Sequence, residues 1–260
     1  MTGPGAAGED GSVRLPLLIL AVLLAALAGC RGGAPAAPPS RLVLWAWERP
    51  EDLRFVGDRA EVAVQTSFIE ISPGGLKIRG RRFPLKVARP PSVSLVHVEI
   101  APGRPIAWTP RLRAIVSAAV LHYGQIAGTP RVQVDFEVRE SERAILLDVL
   151  ADVRRGLPKG ISLSMTALAS WCDTESWLDS APVDEIVPML FRLQPGGERL
   201  RNRLAKGGDF RNPRCRTALG IATDSPVLNA PAGRRVYLFD PRSWTEADFR
   251  RAQRDVEGWR

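Results

Sequence analysis

The sequence predicts an α/β fold, a parallel (β/α)8 barrel of the TIM type, and three observations carry that prediction. Between Arg41 and Arg260, short apolar runs alternate with helical patterns, as parallel strands alternate with crossover helices. Several runs, such as Ser94-Leu95-Val96-His97-Val98-Glu99-Ile100 and Glu185-Ile186-Val187-Pro188-Met189-Leu190-Phe191, are nearly continuous in apolar residues, as strands covered on both faces should be. The stretch also has the length of a short barrel of this kind. An open doubly wound sheet is the alternative, disfavoured because no Gly-rich phosphate loop follows the first strand.

Eight strands are expected, over Leu42–Trp47, Glu61–Ile71, Ser92–Ile100, Val132–Glu137, Ile161–Leu168, Glu185–Leu193, Ala218–Thr223 and Val236–Phe239. After Thr109-Pro110, the residues Leu112, Ile115, Val116, Ala119, Val120, Tyr123 and Ile126 recur at helical spacing until Gly128. A second helix, Ser141–Arg155, has Glu142 in its first turn, Arg154 and Arg155 in its last, and Gly156 as its stop. The final helix opens on Ser243-Trp244-Thr245-Glu246, a capping-box pattern. Weaker helices are expected around Glu51–Phe55, Thr174–Leu178 and Glu198–Leu204. Two connections break the rotation. Pro73–Leu85, with three glycines, reads as a hairpin after strand 2, and Asp224–Arg235 is too rich in Pro and Gly for a helix after strand 7.

The chain divides into residues 1–29, 30–40 and 41–260. Leu15–Ala28 is an apolar run of secretory length, too short to span a bilayer comfortably, and marks residues 1–29 as a signal peptide. Its end, Leu27-Ala28-Gly29-Cys30, resembles the lipoprotein box of bacteria, which implies an acylated Cys30 inserted in a lipid bilayer. Arg31 after the cysteine, rather than Asp, resembles the signal for the outer membrane, facing the periplasm. The rest of residues 30–40, rich in Gly, Ala and Pro, reads as a flexible tether, and residues 41–260 as a single barrel domain.

Cys172 and Cys215 then remain, an even pair in an oxidising compartment, so a disulfide between them is expected, with two free buried thiols as the alternative. With only His97 and His122 available and no metal spacing, no metal or other cofactor is expected. The formal net charge is +8, and all the cations except Lys77, Lys86, Lys159 and Lys206 are arginines. They are scattered with no aromatic-interleaved basic run, which argues against nucleic acid.

Chemistry in such a barrel sits at the C-terminal ends of its strands. The fourth strand, Arg131-Val132-Gln133-Val134-Asp135-Phe136-Glu137, sends Gln133, Asp135 and Glu137 to one face and Val132, Val134 and Phe136 to the other. Other strand ends supply Trp47, Glu48 and Arg49, His97 and Glu99, Ser170 and Trp171, Arg192, Thr223 and Asp224, and Asp240. Of His97 and Glu99, at most one is expected to line the interior. Carboxylates and tryptophans around a mouth suit sugars, whose hydroxyls want acceptors and whose apolar faces stack on indoles.

Leu44-Trp45-Ala46-Trp47-Glu48-Arg49-Pro50, Val132–Glu137, Ser164–Cys172 and Val187–Arg192 together resemble a bacterial family, the domain-of-unknown-function 3142 family. The resemblance covers nearly all of residues 41–260 and implies an envelope lipoprotein with a glycosidase-like barrel, but no established activity and no catalytic residues. This chain has Glu137 where Asp is expected and Leu193 where Met is.

The fourth strand also resembles the acid-rich fourth strand of barrel glycosidases, the chitinase-like group among them. On that resemblance Glu137 is the general acid, and Asp135 beneath it raises its pKa and orients it. A second carboxylate must come from another strand. Asp224, Glu48, Glu99 and Asp240 are candidates, with Asp224 preferred because it lies across the barrel. Trp47, Glu48, Trp171 and Arg192 are the candidate substrate contacts. Structural alternatives stand beside these: an ion pair of Asp135 with Arg192 or Arg49, core roles for the tryptophans, with Trp171 packing over the disulfide, and a turn-forming Asp224. Two functions therefore remain open, a lipid-anchored enzyme acting on an envelope glycan and a silent barrel that binds a glycan or a protein.

Overall fold

The computed structural model describes residues 41–103, 105–191 and 197–259. The signal peptide, Cys30, the tether and Arg192 lie outside the described residues. Eight parallel strands close on themselves in the spatial order β1 (Arg41–Ala46), β3 (Glu61–Ser72), β6 (Val93–Ile100), β7 (Arg131–Glu137), β8 (Ser162–Leu168), β9 (Glu185–Met189), β10 (Ala218–Ala222) and β11 (Arg235–Phe239). Closure runs through β1, which pairs with β3 at Val43 and Glu61 and with β11 at Leu42 and Val236. The expected TIM-type (β/α)8 barrel is therefore present. The seam between β9 and β10 is the thinnest, with one registered pair, Met189 and Gly220.

Strand alternation divides the apolar residues into two cores. Leu42, Leu44, Val132, Val134 and Phe136 face outward into the layer between barrel and helices. Val43, Trp45, Ala63, Val93, Leu95, Val187, Ala218 and Tyr237 fill the interior. There Trp45 stacks on Tyr237, with ring centroids 5.2 Å apart, and donates from Nε1 to Gln133 at 2.7 Å. Gly220 makes room for that indole: a Cβ at residue 220 would lie 2.8 Å from the edge of Trp45. The Gly220→Ala variant is accordingly expected to lose about 1–3 kcal/mol through overpacking, read as a lower urea midpoint at unchanged slope.

Both irregular connections are where the sequence places them. After β3 the chain turns into β4 (Gly75–Gly80), which pairs antiparallel with the upper half of β3, from Ser67–Gly80 to Ser72–Gly75. Between β10 and β11 no helix intervenes. The expected helix at Glu51–Phe55 is instead β2 (Glu51–Leu53) followed by a 3-10 turn, Arg54–Val56. β2 pairs in parallel with β5 (Leu85–Val87), and its alternation of buried Glu51, exposed Asp52 and buried Leu53 has the period of a strand.

The outer helices are α1 (Pro110–Gln125), α2 (Arg143–Gly156), the short α3 (Trp171–Thr174), α4 (Gly197–Ala205) and α5 (Glu246–Glu257). Thr109 caps α1 by accepting from the Leu112 amide, with Pro110 at the first position. Residues Glu140–Glu142 form a 3-10 turn before α2, and α3 with a 3-10 turn at Trp177–Ser180 replaces the helix expected at Thr174–Leu178. α5 starts two residues later than expected: its cap is Thr245, which accepts from the Asp248 amide, because Ser243 donates to the Pro50 carbonyl.

Candidate functional site

Parallel registry brings the polar ends of β6, β7 and β8 together at the C-terminal mouth. His97 lies beside Asp135 and Glu99 beside Glu137. His97 and Glu99 both point inward, which corrects the expectation that at most one does: residues two apart on a strand share a face. His97 Nδ1 is 2.7 Å from Asp135 Oδ2, and its Nε2 is 3.6 Å from Glu99 Oε2. Thr166 of β8 donates to the other oxygen of Asp135 at 2.5 Å. Asp135 is buried, while Glu137, one pleat higher, is exposed.

A bulge at Thr66 supplies the rest of the wall. The register of β3 on β6 slips between Gln65 and Ser67, so Phe68 falls opposite His97 and Glu70 opposite Glu99. The Phe68 ring stacks on the imidazole, with centroids 5.2 Å apart and planes at 22°. Arg79 of β4 lies over Phe68 at 4.5 Å, and Lys77 bonds Glu70 at 3.0 Å. On the other side, Trp47 meets His97 edge-on at 5.7 Å and Phe239 at 5.9 Å, and Phe191 stacks on Phe239.

Electrostatically this is a buried ion pair. Burial opposes the charged imidazolium, but the bond to Asp135 and the carboxylates of Asp135, Glu137 and Glu99 outweigh it and hold the His97 pKa above its ordinary 6.5. Burial likewise opposes the Asp135 carboxylate, and the bonds from His97 and Thr166 hold its pKa below its ordinary 3.8. A raised histidine stabilises fully below 6.5 and loses its effect as the pH climbs through the higher folded value, whereas a lowered aspartate loses its effect only as acid protonates it. The stability lost on Asp135→Asn is therefore expected to be largest between pH 3.8 and 6.5 and to shrink as the pH rises through the raised folded value of His97, measured by urea unfolding across pH.

Of the alternative ion pair of Asp135 with Arg192 or Arg49, the pairing with Arg49 does not form, and Arg192 lies outside the described residues. Arg49 bonds Glu51 at 2.7 Å and the Asp240 carbonyl at 2.6 Å. Glu48 is half-buried and accepts from the Arg82 amide at 2.8 Å. Its Oε2 and the Trp47 Nε1 are buried without a hydrogen-bond partner among the described residues. Asp240 is fully buried and accepts from the Thr223 hydroxyl and the Arg242 amide, which makes it a turn-holding group. Asp224 lies in an exposed turn just past the end of β10.

Trp171 is 6% exposed and packs edge-on against Trp177 at 5.1 Å in the outer core, beside the disulfide between Cys172 and Cys215. It is a packing residue and not a stacking surface, because the chain has already left the strand pleat that would aim it at the mouth. Among the described residues no cluster of His, Cys, Asp and Glu is arranged for a metal ion. A cleft of about 350 Å³ lies at the opposite, N-terminal face, where Arg89 is paired with Asp58 and Arg59 with Glu246.

Fold and site together define a closed (β/α)8 barrel with a histidine and carboxylate cluster in its C-terminal mouth. No family model matches the chain, and no curated protein matches it. Among solved structures it is similar to the crystal structure of the chitinase domain of the spore coat protein CotE from Clostridium difficile, at 16% identity and a TM-score of 0.41. That match covers 64% of this chain and spans 55% of the other.

Proposed function

We propose that this chain is a bacterial envelope lipoprotein whose barrel hydrolyses a glycan through carboxylates at its mouth. The observation that carries the reading is the arrangement on β7: a buried Asp135, bonded among the described residues by His97 and Thr166, lies beneath an exposed Glu137. Glu137 donates the proton to the leaving oxygen, and a carboxylate from elsewhere on the rim activates water. Glu48 and Asp240 are engaged by backbone amides. Asp224, three strands round the barrel from Glu137, is the partner that suits attack from the opposite side of the scissile bond. Trp47, Phe191 and Phe239 offer ring faces and edges to sugar.

The envelope location rests on the leader, on Cys30 and on the Cys172–Cys215 disulfide, which belongs to an oxidising compartment. No helix among the described residues is long and apolar enough to cross a membrane. The resemblance to the domain-of-unknown-function 3142 family agrees with the envelope location and with a glycosidase-like barrel, and implies no activity.

The test is a screen of purified protein against cell-wall and other polysaccharides, wild type beside Glu137→Gln, with reducing ends and bound glycan both measured. New reducing ends from the wild type alone support hydrolysis. Retention of a glycan by both proteins without cleavage replaces the enzyme with a binding barrel. Membrane fractionation of Cys30→Ala tests the anchor, and a variant that stays with the membrane refutes it.

A further inference from the structure

The proposed acid and its partner leave His97, at the centre of the mouth cluster, without a task. His97 is buried and touches carboxylates through both ring nitrogens, Asp135 at 2.7 Å and Glu99 at 3.6 Å. Its ring is fixed by the stacked Phe68 on one side and the edge of Trp47 on another. Asp135 is fixed in turn by Thr166, and Glu99 stands in register with Glu137.

We infer that His97 is a positioning residue, the group through which the buried Asp135 acts on Glu99 and Glu137 in the mouth; the inference rests on the glycan-hydrolysing reading of this site. A charged imidazolium donates at both nitrogens and suits two flanking anions. A neutral one must turn a lone pair toward one of them, so the charge on His97 decides whether it can hold Asp135 and Glu99 at once. The charges facing the ring come from its own strand as Glu99, from β7 as Asp135 and Glu137, and from β3 as Glu70, whose charge is offset by Lys77 of β4. Arg79 of β4 stands beyond the Phe68 ring, while β1 brings only an indole and β8 only a hydroxyl. His97 thereby links the buried Asp135 to Glu99, the neighbour in register with Glu137 at the mouth.

Two readouts keep the inference separate from the reading beneath it. In the first, NMR follows the imidazole titrations of the full chain, whose only other histidine, His122 on α1, serves as an internal control. The His97 midpoint is expected to fall by about one unit or more in Asp135→Asn, and by less in Glu99→Gln, with His122 unmoved. In the second, the pH–rate profile of His97→Asn, which keeps a donor toward Asp135 but carries no charge beside Glu99 and Glu137, is expected to have its alkaline limb shifted to higher pH, because the acid Glu137 loses a neighbouring cation. A His97 midpoint indifferent to both carboxylate variants overturns the inference whether or not a glycan is cleaved, and so does an unchanged profile in His97→Asn. No turnover by the wild type removes the hydrolytic reading and leaves the NMR result to decide the linkage. Glu99→Gln, at a partly exposed position, keeps that result accessible should Asp135→Asn fail to fold.

Discussion

Replacing Glu137 with glutamine is expected to lower turnover of a cleaved glycan by roughly 100- to 10,000-fold, the ordinary contribution of general acid catalysis. Glutamine keeps the size of the side chain and its hydrogen bonds to sugar hydroxyls, so KM should move little while kcat falls; that split marks an interaction made in the transition state. A glycoside whose leaving group is already a weak base needs little protonation. On an activated aryl glycoside the loss should therefore be much smaller than on a natural linkage. An equal loss on both would mean that Glu137 does something other than donate a proton. The exposure of Glu137 favours a clean result, because the substitution disturbs no packed core.

The second large effect belongs to the disulfide. Cys172 and Cys215 are both buried, their Cα atoms are 6.0 Å apart, and 43 positions of sequence separate them. Closing a loop of that length is worth about 4 kcal/mol in the chain-entropy model. For a domain of this size the Tm should fall by roughly 8–16 °C when both cysteines are replaced by alanine. The bridge ties α3, in the connection after β8, to the Pro213–Cys215 turn before β10. Polar bonds span the same gap: the Asn212 amide to the Cys172 carbonyl at 2.9 Å, and Arg214 to the carbonyls of Leu178, Asp179, Ala181 and Val183. They hold the fold in place, so the variant should melt earlier without changing its circular dichroism at low temperature. A Tm that does not respond to removal of the bridge would mean that the unfolded chain is already compact between these residues.

Much of the barrel is legible in the sequence because a strand covered on both faces needs apolar residues almost throughout, and runs such as Val93–Ile100 admit few other readings. The Thr109-Pro110 start of α1 is legible for a local reason, since cap and first residue are adjacent in sequence. Glu51–Leu53 is not, because three residues hold too little period to separate strand from helix. Ser243 and Thr245 each begin a plausible cap two residues apart, and only the distant Pro50 carbonyl decides between them.

In the site, Asp135 and Glu137 follow from alternation on one strand. The same rule, applied to residues 97 and 99, would have placed both inside. Phe68 and Glu70 could not be read, because the Thr66 bulge reverses their parity and leaves no mark in composition. Thr166 is invisible for another reason: its role depends on the registry of β8 against β7, which no local pattern encodes.

The seam between β9 and β10 has a kinetic meaning. Only Met189 and Gly220 are in register there, Pro188 in β9 has no amide to give, and no helix crosses from β10 to β11. A closed barrel has no free edge from which to fray, so it opens where its ladder is shortest. Amide protons of β10 should thus exchange with solvent sooner than those of β6 and β7, and the molecule would breathe on the side away from His97 and Asp135. The mouth cluster then stays in place through the most frequent openings of the protein.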